Sequence, residues 1–214
     1  MPQYRLVDYS YPTTGEVARL LLQFRDVEYE DHKVESPDEI YEAEEEAPFG
    51  TLPVLYVDGK AVAQGQGISR YLARELGLVG ETNEEAATCD MIMDGLGVMF
   101  AKMRGLDLSQ KDVGEQVALL KQMMREDVPR HLHKYERFLE KSNLSSGYFA
   151  SEKLTWCDLG VTLCLAGMQL RQPSLLEKHP RLRALVQKVT KEPVVEHFVD
   201  TELAQSAIIR KNSM

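Results

Sequence analysis

The sequence predicts an α/β half followed by an all-helical half. Two observations carry this: short apolar runs alternate with helical patterns over the first 80 residues, and from Thr82 onward only helical periodicity is found. Tyr4 to Asp8 reads as a strand and Gly15 to Arg25 (GEVARLLLQFR) as a helix, with Val17, Leu20, Leu21 and Phe24 on one face. Val27 to Val34 reads as a second strand. An acidic stretch follows, and then Leu52 to Val57 and Lys60 to Ala63, two short apolar runs joined by Asp58-Gly59. Asp-Gly between such runs predicts a tight hairpin, because its residues tolerate the positive φ of that turn. Gly67 to Leu76 completes this half as a helix.

The second half opens on a capping box, Thr82 to Glu85, a hydroxyl acceptor with a carboxylate three residues later. A long helix is expected after it, and another over Val113 to Lys141 with a kink or break at Pro129. A second box, Thr155 to Asp158, opens the apolar helix Leu159 to Leu170, which belongs in a core. A last helix follows Pro180 and stops before Pro193. The linker is placed at Gly77 to Glu81, so the expected division is residues 1–80 and 82–214.

Composition narrows function. The chain has 214 residues, enough for two modest domains sharing a surface, and 28% charged residues, too many for a membrane protein. No run approaches the ~18 apolar residues a span requires, and MPQYRLVDYSYPTTGE has no secretory pattern, so a cytoplasmic location is expected. Net charge −9 argues against nucleic acid and anionic membranes, leaving small molecules or protein as partners. Cys89, Cys157 and Cys164 have neither disulfide-framework nor zinc spacing and are expected as small buried hydrophobes. His131 and His133, two apart on a helix, point away from each other, so no metal is expected there and both are expected in solvent. The methionines of Met91 to Met103 and Met123-Met124 read as core.

The stretch Ala47 to Leu76, APFGTLPVLYVDGKAVAQGQGISRYLAREL, resembles the segment PFGxxPxLxVDGxxxxQSxAIxRYLA of the cytosolic glutathione transferases. The likeness extends over essentially the whole chain. MPQYRL, Tyr29 to His32 and Leu154 to Leu159 are most similar to the sigma class, which includes prostaglandin D synthases, detoxifying enzymes and lens crystallins. The resemblance implies an α/β thioredoxin-like N-terminal domain that binds glutathione as co-substrate and an all-α C-terminal domain that holds a hydrophobic electrophile. It also implies a homodimer, with Phe49 a candidate for its interface.

Residue by residue, the resemblance implies a cis bond at Leu52-Pro53, whose strand-edge backbone groups would pair with the cysteinyl backbone of the thiol. Gln64 and Gly65 fall where the family has Gln-Ser, at the helix N-terminus that receives the γ-glutamyl carboxylate. Gly65 lacks the hydroxyl. A hydroxyl must also stabilise the thiolate. Gapless counting puts Asp8 at the family's tyrosine, so the candidates are Tyr9, then Thr13 of the Thr13-Thr14 pair, then Tyr11. No cysteine lies between residues 8 and 14, which disfavours thiol exchange. Met99 and Met103 are candidate walls of the electrophile pocket.

The departures are acidic. Where the family places an aromatic and lysines for the glycine carboxylate, this chain has Glu39, Ile40, Tyr41 and Glu42 to Glu46, with Thr51 before Leu52. Either this is a solvated helix face beside a weak site, or the thiol carries an amine at its glycine end. Two functions follow: a transferase, or a non-enzymatic relative that kept the fold and lost the site.

Overall fold

The computed structural model describes residues 2–104 and 112–203. The first half is β1 (Tyr4–Tyr9), α1 (Glu16–Phe24), β2 (Glu30–Val34), α2 (Pro37–Glu46), β3 (Val54–Val57), β4 (Lys60–Ala63) and α3 (Gly65–Glu75). The sheet order is β2-β1-β3-β4, with β1 and β2 parallel and the other pairs antiparallel. The second half is helical: α4 (Asn83–Arg104), α5 (Val113–Lys141), α6 (Trp156–Gln169), α7 (Pro180–Thr190) and α8 (Pro193–Phe198), with a 3-10 turn at Pro173–Leu176. Among the described residues no helix is long and apolar enough to cross a membrane.

Strand alternation in β1 decides what faces what. Tyr4 and Leu6 enter the main core with α1 and α3, and Asp8 follows them on that face. Val7 and Tyr9 face the other way, into a small cluster with Val34, Ala47, Leu52 and Val54. α1 buries more than the one face its pattern predicts, Ala18 to Leu22 in succession, because α3 packs on one side and α6 and α8 on another. One continuous core therefore runs through both halves.

Several boundaries differ from expectation for local reasons. β2 starts at Glu30 rather than Val27, since the N–H groups of Arg25, Asp26 and Val27 still donate back to α1 carbonyls. β3 starts at Val54 because Pro53 has no N–H to give the ladder. Asp58 and Gly59, at φ 49° and 79°, form the expected hairpin turn with Val57 opposite Lys60. α3 begins two residues early, capped by Gln64. α5 is continuous through Pro129 and not broken there; the carbonyl that loses its donor is that of Arg125, an exposed residue, where water can serve it. After Pro193 the chain starts another helix, Pro serving as a first helical residue.

Both capping boxes form. Glu85 N–H donates to Thr82 Oγ1 and Thr82 N–H to Glu85 Oε2, each at 3.1 Å. At α6, Asp158 is fully buried and accepts from Thr155 N–H (2.9 Å), Thr155 Oγ1–H (2.7 Å) and Phe149 N–H (2.9 Å). Trp156 beside it donates its backbone N–H to Leu78 O at 2.9 Å, tying α6 to the linker. Cys89 and Cys157 are buried as expected and Cys164 is half-buried. Two expectations fail. His131 is buried, not solvated, because α5 packs on both α4 and α7. Met91 is exposed, while Met93, Met99 and Met123 are core.

Candidate active site

The Leu52–Pro53 bond is cis and lies at the entrance to β3. Leu52 packs its side chain into the small cluster, against which Tyr9, Ile40 and Ala43 also lie. Tyr9 ends β1 on this face. Its hydroxyl donates to Glu44 Oε1 at 2.5 Å, its ring stacks on Tyr11 at 5.0 Å, and the Leu52 backbone lies against its phenolic oxygen. Burial, then the hydrogen bond and charge of Glu44, push the Tyr9 phenol up to about 12. Tyr9 therefore stays an O–H donor throughout the neutral range.

Asp8 and Thr13 belong to the opposite face. Asp8 is fully buried and accepts from Thr13 Oγ1–H (2.5 Å), Tyr9 N–H (2.9 Å) and Arg19 Nη1 (3.1 Å). Burial raises its pKa in spite of Thr13 and Arg19, which act to lower it. Arg19, 1% exposed, also donates to Glu16 at 2.7 Å and through Nε to both oxygens of Asp31 at 3.0 and 3.1 Å. Thr13 Oγ1 receives Gly15 N–H at 2.9 Å. The Thr13 hydroxyl is thus engaged on both sides in holding the turn before α1. The glycine at 15 is required, since a Cβ there would stand 2.2 Å from Asp8 Oδ2.

Gln64, with φ 69°, is exposed and donates Nε2–H to Thr51 Oγ1 at 3.3 Å. This contact sets the start of α3 beside residues 51 to 53. Gly65 is buried against Thr14: a Cβ at position 65 would meet Thr14 Oγ1 at 2.2 Å and Thr14 O at 2.9 Å. The missing hydroxyl at 65 is matched by a threonine hydroxyl standing almost where the serine Cβ would be. Gly65→Ser is therefore expected to destabilise the protein by about 1–3 kcal/mol through overpacking, read as a lower urea midpoint. Adding Thr14→Gly should recover part of the loss, because the side-chain clash is relieved and the contact with the Thr14 carbonyl remains.

The structure thus gathers Tyr9, Leu52, Pro53, Gln64 and Gly65 around one turn, and sends Thr13 to Asp8. Met99 is 1% exposed, in the core instead of on a pocket wall, because its stretch of α4 packs inward; the Met103 side chain lies outside the described residues. Sequence reasoning missed Glu44 and Thr14. It also missed Arg19, whose signal was a lone charge within LLLQF-type apolar surroundings. α2 carries Asp38, Glu39, Glu42, Glu44, Glu45 and Glu46 and no basic residue. Glu39 closes the capping box with Ser36, a start signal not recognised in the sequence. Among the described residues no group of three His, Cys, Asp or Glu could hold a metal ion.

Comparison with known proteins agrees with this architecture. The family description "Glutathione S-transferase, N-terminal domain" matches residues 2–74, and "Glutathione S-transferase, C-terminal domain" matches residues 100–202. The chain is 34% identical to glutathione S-transferase 1 of Ascaris suum over 202 residues, covering 93% of this chain and 96% of that one. It is 29% identical to hematopoietic prostaglandin D synthase of Homo sapiens, with the same coverage. The crystal structure of the glutathione S-transferase from Ascaris lumbricoides superposes with a TM-score of 0.83 at 32% identity, over 94% of this chain and 98% of that one. With a four-stranded thioredoxin-like half, a helical half and this level of identity over nearly its full length, the chain belongs to the glutathione S-transferase family.

Proposed function

We propose that this glutathione transferase adds the thiolate of glutathione, or of a related thiol, to small hydrophobic electrophiles, with Tyr9 as the hydroxyl that stabilises sulfur. The observation that carries this reading is the protonated Tyr9 phenol lying against the Leu52 backbone. Leu52 and Pro53 hold the cysteinyl backbone, and Gln64 with the first N–H groups of α3 receives the γ-glutamyl carboxylate. In the reaction the thiol loses its proton to solvent, the thiolate forms a C–S bond at the electrophilic carbon, and the leaving group departs with the bonding pair. Tyr9 donates its O–H to the sulfur and favours the thiolate in the resting complex. Thr13, engaged by Asp8 and Gly15, is the weaker candidate.

Tyr9→Phe is expected to lower kcat/KM for a generic aryl halide about 10- to 100-fold, the scale of one hydrogen bond to a charged group. The sign follows from the donor: without it the bound thiol pKa rises, so the acid limb of the rate profile moves to higher pH. An unchanged profile would exclude Tyr9. Absence of both turnover and retention on immobilised glutathione would leave the non-enzymatic reading.

The boundary is placed at residues 1–80 and 82–214. Sigma-class membership, a role in detoxification and a cytoplasmic location fit the relatives with which the chain aligns. A homodimer is supported by large exposed apolar side chains: Phe49 at 69%, and Met91 and Val98 at 53% and 55%, seven residues apart on one face of α4.

A further inference from the structure

The thiol turn is flanked by opposite charges. Through the Gln64–Thr51 contact, one side of residues 51 to 53 faces the N-terminus of α3, whose first turn holds no carboxylate. Its free N–H groups favour an anion. Through the Tyr9–Glu44 bond, the other side faces a half-buried carboxylate set against the Leu52 backbone. Glu45 follows on the same helix, and among the described residues no Lys or Arg forms an ion pair with Glu44. An extended peptide lying along this turn therefore meets a site for a negative group at one end and for a positive group at the other. Glutathione carries a carboxylate at both.

Tyr9 adds a second constraint. A phenol has one proton to donate, and here Glu44 takes it. While Glu44 accepts that bond, sulfur at the turn has no phenolic donor. An ammonium group beside Glu44 has three N–H donors and a full charge, so it can replace the phenol as the partner of that carboxylate.

We propose that Glu44 is a specificity-determining residue of the thiol site, selecting thiol peptides that carry an amine in place of the C-terminal carboxylate, and releasing the Tyr9 hydroxyl to sulfur when that amine binds. This rests on the transferase reading above and names its substrate class: a γ-glutamyl-cysteinyl thiol amidated at its C-terminus by a di- or polyamine.

Three probes test it on the full-length protein: glutathione, its neutral C-terminal amide, and its amide with a diamine. Affinity is measured by calorimetry at low salt, and the pKa of the bound thiol by the ultraviolet absorbance of the thiolate. The diamine amide is expected to bind about tenfold more tightly than glutathione, the scale of one partly screened charge interaction changing sign, with the neutral amide between them. The gap should narrow with added salt. The bound thiol pKa should be lower for the diamine amide than for the neutral amide. In Glu44→Gln both the affinity ranking and the pKa difference should collapse, with circular dichroism unchanged. Equal affinities in the natural protein, or a ranking that survives in Glu44→Gln, would overturn the proposal while leaving the transferase reading intact. If no probe binds either protein, the transferase site and this selectivity fall together.

Discussion

Arg19→Leu is expected to destabilise the protein by about 3–5 kcal/mol, the cost of removing one partner from a buried ionic network. Its guanidinium is the common counter-ion of Asp8, Glu16 and Asp31, at 2.7 to 3.1 Å. Asp8 is fully buried, so after the change it must keep an unpaired charge in the core or take up a proton. Arg19→Lys keeps the charge but cannot reach three carboxylates from one nitrogen, and an intermediate loss is expected. Urea unfolding measures both, as a lower midpoint at unchanged slope. The pH dependence has a definite sign. Burial already raises the folded pKa of Asp8 above its ordinary 3.8, and loss of Arg19 raises it further. A carboxyl with a raised folded pKa favours the folded state below its unfolded pKa, and that contribution is lost as pH rises through the folded value. The deficit of Arg19→Leu should therefore be small in mild acid and widen toward neutrality.

The second large effect is Asp158→Ala. Asp158 holds three donors with two oxygens, and two of those donors are backbone N–H groups on either side of a tight loop, Phe149 and Thr155. Alanine leaves both N–H groups unpaired in a dry interior, at about 1–3 kcal/mol each, in addition to the lost helix cap. A total near 3–4 kcal/mol corresponds to a fall in Tm of roughly 10 °C for a chain of this size. Asp158→Asn retains one accepting oxygen and should lose about half as much. Differential scanning calorimetry distinguishes the two.

What could be read from the sequence was whatever depends on neighbours in the chain. The Asp58-Gly59 hairpin, the Thr82 and Thr155 boxes and the apolar periodicity of α1 and α6 are local patterns, and the structure forms them. The Ser36–Glu39 box has the same form and was passed over because the glutamates after it read as a charge run. The candidate site was legible as a set of positions and not as a set of contacts. Asp8 with Arg19, Tyr9 with Glu44 and Thr14 with Gly65 are 11, 35 and 51 residues apart, spacings without a period. Which hydroxyl faces the turn depends on the parity of β1: one residue separates Asp8, on the core face, from Tyr9, on the α2 face. His131 likewise shows that a helix packed on two sides buries polar positions that a single amphipathic stripe leaves outside.

The bond from Trp156 N–H to Leu78 O gives this molecule a built-in optical gauge. Trp156 is the only tryptophan of the chain, its ring is completely buried, and its indole nitrogen has no hydrogen-bond partner, so its emission should lie toward the blue. It stands where the helical half meets the linker from the sheet. Its fluorescence therefore follows the seam between the halves, while circular dichroism follows the helices within them. Coincident traces on denaturation would mean that the shared core makes the two halves a single cooperative unit.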